Sequence, residues 1–278
     1  MTNPIADPFV ENVDTDADSP LVRINATVEG VATITINSPG TKNAFDDRVI
    51  AALAQAFETM HGAEGVRIVF LEGAGATFSA GANLDWMAAA ADLTEDDNRA
   101  DAMAMAAMLK ALWDIPALTV AVVQGGAFGG GAGMAAACDL AIAVEGAKFS
   151  FSEVRLGLLA ATISPYVVRA IGPRHARALF ATGRVFDAAQ AQTIGLVSEV
   201  VAAGELEAVK GRLAKEAMAG APEAVADSKR LVDDVFGREI NHGLMEMTAR
   251  RIAARRVSDE GQEGVRAFLE RRKPSWLG

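Results

Sequence analysis

Apolar and polar residues alternate from Leu21 to Asn37 (LVRINATVEGVATITIN), a period of two that lays one face of a strand on a core, and Glu29-Gly30 predicts a hairpin turn. From Asp46 to Met60 the period becomes helical, with Val49, Ile50, Leu53 and Phe57 on one side. VRIVFLEG at 66–73 is apolar almost throughout, as a strand covered on both faces would be, and the alanine-rich stretch from Leu84 to Trp113 predicts helix with an acidic break at Glu95 to Asp97. LTVAVV at 118–123, DLAIAV at 139–144 and AKFSF at 147–151 predict further short strands. Strands alternating with helices imply an α/β core with parallel pairing. After Gly195-Leu196-Val197-Ser198 the strand signals stop, and helices are expected over 204–219, 222–235 and 238–270, the last broken at Ser258. The chain therefore divides into a flexible acidic tail (1–20), a core (21–203) and a C-terminal helical region (204–278).

Composition narrows the function classes. The 278 residues are 51% hydrophobic and 22% charged, enough apolar material for a sizeable core. A formal charge of −10 argues against nucleic acid or an anionic membrane as the principal partner. The charge is uneven: residues 238–278 hold nine basic and six acidic side chains, a bias that could meet a phosphate-bearing ligand but is more commonly a solvated helix face. A single cysteine, Cys138, excludes an intrachain disulfide, and His61, His175 and His242 are too far apart for a metal motif, so no metal is expected. Arg23 is the first basic residue and follows an acid-rich stretch unlike a leader, which implies a cytoplasmic protein. The uncharged run from Ile115 to Cys138 is long enough to span a bilayer, but Pro116 and six glycines break it into strand, turn and the small-residue helix GMAAAC.

Two turns carry candidate chemistry. Phe78-Ser79-Ala80-Gly81-Ala82-Asn83-Leu84 lies between a strand and a helix, where free backbone N–H groups can stabilise negative charge. On its own it reads first as an ordinary strand-to-helix connection. Gln124 to Gly133 (QGGAFGGGAG) lets a ligand approach the backbone directly ahead of a helix, and it is neither a GxGxxG dinucleotide fingerprint nor a GxxxxGK[ST] phosphate loop. Together the two turns suggest an oxyanion hole with one donor from each.

The chain resembles the enoyl-CoA hydratase/isomerase (crotonase) family through SPGTKNAF (38–45), FSAGANL (78–84), VQGGAFGGGAGMAAACDLAIA (123–143), AKFSFSEVRLGL (147–158), TGRVFDAAQAQTIGLVSEVV (182–201) and EGVRAFLERRKPSW (263–276). The resemblance implies a crotonase-like spiral of ββα units with a C-terminal helical trimerisation region, hence a homotrimer or dimer of trimers, and an acyl-CoA thioester substrate. Coenzyme A would then be part of the substrate, with no separate cofactor. The same resemblance assigns the oxyanion donors to Ala82 and Gly130, the coenzyme A contacts to Lys42, Ala44, Ala80, Ala82 and Lys273, and the catalytic acid/base to Glu153. A first glutamate usual in the family is Gly133 in this chain.

The run from Ser152 to Ala188, with NAFDD at 43–47 and Gly133, is similar to the bacterial 3-methylglutaconyl-CoA hydratase branch, which implies hydration of a branched enoyl-CoA in leucine or fatty-acid breakdown. Asn83, Ser38 and Ala160 depart from that branch's usual Asp, Arg and Pro. Glycine at 133 is expected to leave room for a substituent at the substrate's β-carbon. Arg155 is a candidate for a distal substrate carboxylate or for a structural ion pair. Trp86, Met87, Met103, Met105 and Met108 are candidates for the acyl pocket or the core. Cys138 reads as a buried thiol. The alternatives to a hydratase are a Δ3,Δ2-enoyl-CoA isomerase and an inactive acyl-CoA-binding subunit.

Overall fold

The computed structural model describes residues 12, 13 and 20–277. Most of the proposed tail lies outside the described residues, but Asn12–Val13 (β1) is a strand, paired antiparallel with Val22–Ala26 (β2). The predicted hairpin forms β2 with Val31–Ile36 (β3), turned at Gly30, whose φ of 88° suits glycine. Asp47–Gly62 (α1) follows, its Asp46 side chain accepting from the Val49 N–H at 2.9 Å as an N-cap. Ile68–Gly73 (β4) pairs parallel with β3.

The long helix expected over 84–113 is two, Leu84–Ala90 (α2) and Glu95–Asp114 (α3), and its break lies at 91–94 rather than at the acidic triplet. Thr94 and Asp97 form a capping box, so Glu95 to Asp97 begin α3, where their charge favours the helix N-terminus. The uncharged run becomes Leu118–Val123 (β5), Gly126–Phe128 (β6) and Gly130–Ala137 (α4). The short strand inside the glycine turn escaped the sequence reading, and α4 starts at Gly130 instead of Gly133. Among the described residues no helix is long and apolar enough to cross a membrane.

Leu140–Val144 (β7) and Lys148–Ser150 (β8) lead to Ser164–Thr182 (α5), Phe186–Asp187 (β9) and Ala188–Thr193 (α6). Strand signals do not end at Ser198: Glu199–Val201 (β10) pairs parallel with β7, too short for alternation to reveal. One sheet runs β1-β2-β3-β4-β5-β7-β10, and a smaller one runs β6-β8-β9. Fully enclosed Phe57, Phe70, Phe78, Phe149 and Phe151 contribute much of the core beneath them.

The helices Leu206–Ala219 (α7), Pro222–Val235 (α8), His242–Val257 (α9) and Asp259–Glu270 (α10) complete the chain. Contacts divide it into two compact units, the first running to Ile115 and over Thr119–Ala208, the second holding Pro116–Leu118 and everything from Val209. Within the second unit Arg255 of α9 reaches Glu223 and Asp227 of α8 at 2.8 Å and Glu260 of α10 at 3.5 Å.

Candidate active site

Three segments of the first unit meet at the start of α4. The turn after β4 runs beside β6, with Phe78 N–H donating to Gln124 O (2.9 Å), Ser79 N–H to Gly126 O (3.1 Å) and Phe128 N–H to Ser79 O (3.0 Å). On its other side Ala80 N–H donates to Lys42 O (2.9 Å), Phe45 N–H to Gly81 O (2.7 Å) and Asn83 N–H to Phe45 O (2.7 Å). That alternation leaves the Ala82 N–H directed away from the Phe45 strand. Gly130, the first residue of α4, has no preceding helical carbonyl to bond. Among the described residues neither the Ala82 nor the Gly130 N–H has an acceptor. Gly81 brings the two turns close: its φ is 88°, and an added Cβ would lie 2.9 Å from Phe128 O.

Glu153 arrives through the second sheet. β6 and β8 pair with Phe128 opposite Ser150, and Gly129 N–H donates to Ser150 O at 2.9 Å. Three residues on, a short 3-10 turn (Glu153–Leu156) puts Glu153 Oε1 3.3 Å from where a Cβ on Gly129 would stand. Any side chain at 129 would crowd the carboxyl. Glu153 Oε2 is buried with no hydrogen-bond partner, and burial pushes the carboxyl's pKa above its ordinary value, opposed by a backbone hydrogen bond. A carboxyl held in this way can exchange a proton with a ligand while bonding little else.

The glycines of α4 make room for neighbours from other segments. A Cβ on Gly130 would lie 2.8 Å from Met105 Cε and 2.9 Å from the Phe45 ring, and one on Gly131 would lie 2.8 Å from Ser79 Cβ. Gly133 departs from expectation. A Cβ there would lie 2.1 Å from Ile163 Cγ2, so isoleucine already occupies the space that glycine was expected to leave open.

Asn43 is the residue that sequence reasoning left without a role. It is fully buried with φ 55°, a left-handed conformation that asparagine tolerates better than most residues. Its Oδ1 accepts from Ser38 N–H (2.9 Å) and its Nδ2 donates to Ala74 O (2.9 Å) and Thr77 O (2.7 Å). Ser79 Oγ donates to Asn43 O (2.8 Å) and accepts from Gly81 N–H (3.2 Å), tying the Ala82 turn to the same hub. Its position in KNAF, at a turn between two apolar segments, was the available signal.

The other candidates separate. Lys42 is exposed, and Ala44, buried, donates its N–H to Thr41 O at 3.3 Å. Trp86 and Met87 are half-buried in the first turn of α2; Met108 is core, Met103 is exposed, and Met105 reaches Gly130. Arg155 is exposed against Gly183 and, among the described residues, makes no ion pair. Cys138 is buried at the end of α4. Lys273 is exposed and belongs to the second unit.

A helix start with unpaired N–H groups beside a buried carboxyl, on parallel ββα repeats followed by a helical region, defines a crotonase-fold protein. The enoyl-CoA hydratase/isomerase family profile matches residues 26–278, and the chain belongs to that family. A Legionella pneumophila structure described as an enoyl-CoA hydratase/isomerase (crotonase) is 42% identical, with TM-score 0.86, over 92% of this chain and 98% of that one. An enoyl-CoA hydratase structure from Shewanella pealeana is 37% identical, with TM-score 0.89, over 92% and 96%. The Mycobacterium tuberculosis protein named "probable enoyl-CoA hydratase echA8" is 34% identical over 88% of this chain and 94% of its own.

Proposed function

We propose that the protein hydrates 2-enoyl-CoA thioesters, with the Ala82 and Gly130 N–H groups on the thioester oxygen and Glu153 as the sole acid/base. The observation that carries this reading is the buried, unpartnered oxygen of Glu153 beside the start of α4. In the reaction the water oxygen bonds to C3, Glu153 accepts a water proton, and a proton passes from the carboxyl to C2. Charge that develops on the thioester oxygen meets two donors already free of other partners.

Lys42, Ala44, Ala80 and Ala82 are assigned to coenzyme A by their places in the family motifs, with no separate cofactor. The branched substrate 3-methylglutaconyl-CoA stays part of the proposal: the motif likeness supports it, and so does Arg155, which no carboxylate among the described residues engages. The open space at Gly133 no longer supports it. Uncovered apolar side chains in the second unit, among them Val257, Phe268 and Leu269, support a homotrimer or dimer of trimers, and a cytoplasmic location stays part of the proposal.

The isomerase is the second reading, because Ile163 stands at Gly133 where a second carboxyl is usual, and moving one proton needs one carboxylate. Assay of the native protein and Glu153→Gln against crotonyl-, 3-methylglutaconyl- and 3-hexenoyl-CoA tests both readings. Hydration that falls by roughly two to four orders of magnitude in the variant is expected. Efficient isomerisation without hydration selects the second reading, and no turnover of any thioester selects an inactive binding subunit.

A further inference from the structure

Gly133 lies one turn into α4 from Gly129, the residue before the helix, and its N–H donates to Gly129 O at 3.0 Å. At Gly129 the missing side chain makes way for the Glu153 carboxyl; at Gly133 it makes way for Ile163. The fit is close, with an added Cβ 2.1 Å from Ile163 Cγ2 and 2.6 Å from its Cβ. These are atoms next to the backbone, not the end of a flexible chain. Ile163 is 2% exposed, and its carbonyl accepts from Tyr166 and Val167 N–H at 3.1 Å each, which fixes it to the start of α5. It cannot yield to a residue at 133 without disturbing that helix.

A methyl-bearing side chain therefore stands one turn beyond the carboxyl, where it offers neither donor nor acceptor. That matters differently for the two reactions open to Glu153. In isomerisation the carboxylate takes a proton from C2 of a 3-enoyl thioester, the double bond shifts from C3–C4 to C2–C3, and the proton is returned to C4, with no net change in composition. In hydration a water must also be held while its oxygen bonds to C3 and a proton goes to C2, so one water is consumed. A second polar group helps only the hydration.

We propose that Ile163, packed in place of any side chain at 133, is a specificity-determining residue that sets the balance between proton transfer and water addition. The inference rests on the reading of Glu153 as the acid/base. Ile163→Val and Ile163→Thr share one shape and differ by a hydroxyl in place of a methyl. The ratio of kcat/KM for crotonyl-CoA hydration to that for 3-hexenoyl-CoA isomerisation is expected within about twofold of native in the valine variant and about five- to tenfold higher in the threonine variant, roughly the worth of one hydrogen bond. Equal ratios in the two variants overturn the proposal.

Thermal melting supplies a readout independent of activity. Gly133→Ala is expected to lower Tm sharply in the native chain and much less in an Ile163→Gly background, because the clash is removed. Equal losses in both backgrounds overturn the packing on which the proposal rests. Glu153→Gln in the same assays separates the two levels: unchanged turnover there defeats the acid/base reading and the inference with it, whereas lost turnover with equal valine and threonine ratios defeats the inference alone. A native protein inactive on both thioesters and on 3-methylglutaconyl-CoA defeats both.

Discussion

Phe57, Phe70, Phe78, Phe149 and Phe151 are enclosed in the first unit, whereas the second, among the described residues, encloses little beyond Ala117, Leu213, Ala226, Leu244 and Ala267 and ties α8, α9 and α10 through Arg255 to Glu223, Asp227 and Glu260. Glu260 also accepts from the N–H groups of Glu223 and Ala224 at 3.0 and 2.9 Å, closing the start of α8 from α10. Arg272 adds Glu263 at 2.6 Å and Glu270 at 2.8 Å. In the first unit the pairs Arg99–Asp96 and Lys110–Asp114 join residues three and four apart on exposed faces of α3. Charge accordingly has opposite meanings in the two. In the helical unit it organises the helices; in the unit with the candidate site a charge on Glu153 is carried at the expense of stability.

The largest expected effect separates chemistry from folding. Glu153→Gln should cut turnover by roughly two to four orders of magnitude, measured on whichever thioester the native protein turns over best. The same change should raise Tm at pH 8 relative to native. Burial raises the folded pKa of Glu153, so this group favours folding below its unfolded pKa and loses that contribution as pH rises through the folded value. The gain should therefore shrink as pH falls and vanish near pH 4. A variant that melts lower at pH 8 would contradict the sign.

Asn43→Ala tests whether the first unit depends on single polar hubs. It removes three hydrogen bonds at a buried left-handed residue, and should cost about 2–4 kcal/mol in urea unfolding. Turnover of the folded fraction should fall too, since the backbone carbonyl at 43 that accepts from Ser79 Oγ is no longer fixed by the side-chain bonds. In the second unit, Arg255→Met should cost about 1–3 kcal/mol by leaving the carboxylates of α8 and α10 facing one another, and should speed hydrogen exchange in 222–270 before 22–73. Uniform acceleration across the chain would erase the distinction.

The smallest effect concerns acid. Arg255 holds the Asp227 carboxyl below its ordinary pKa, and Arg272 holds Glu263 down to about 2. Carboxylates depressed in the folded state contribute stability above their unfolded pKa and lose it as pH falls through the folded one. Between pH 5 and pH 2 exchange in 222–273 should therefore accelerate, opposite in sign to the contribution of Glu153.

The legibility of the chain followed the same division. Alternation in LVRINATVEGVATITIN and the apolar run at 66–73 reported strands directly, because burial on one or both faces leaves a period in the residues themselves. Helices α7 to α10, largely exposed, were readable as long stretches free of strand signals. β6 and β10, three residues each, were not, since their pairing is dictated by partners distant in sequence. Motif likeness led to Glu153, Ala82 and Gly130, and the structure brings the segments bearing them together at the start of α4. Ile163 could not be read in this way. Nothing in ATISP announces contact with Gly133, thirty positions earlier, and only the folded chain sets Ile163 where a side chain at 133 would stand.

Because α4 presents glycine at 129, 130, 131 and 133, it contributes its backbone and borrows its side chains, Glu153, Met105, Phe45, Ser79 and Ile163, from separate stretches of the chain. The free N–H groups at the start of this helix and the side chains set against it thus belong to different parts of the sequence. A substitution at any one of those side chains changes what faces α4 while the backbone of the helix keeps its place.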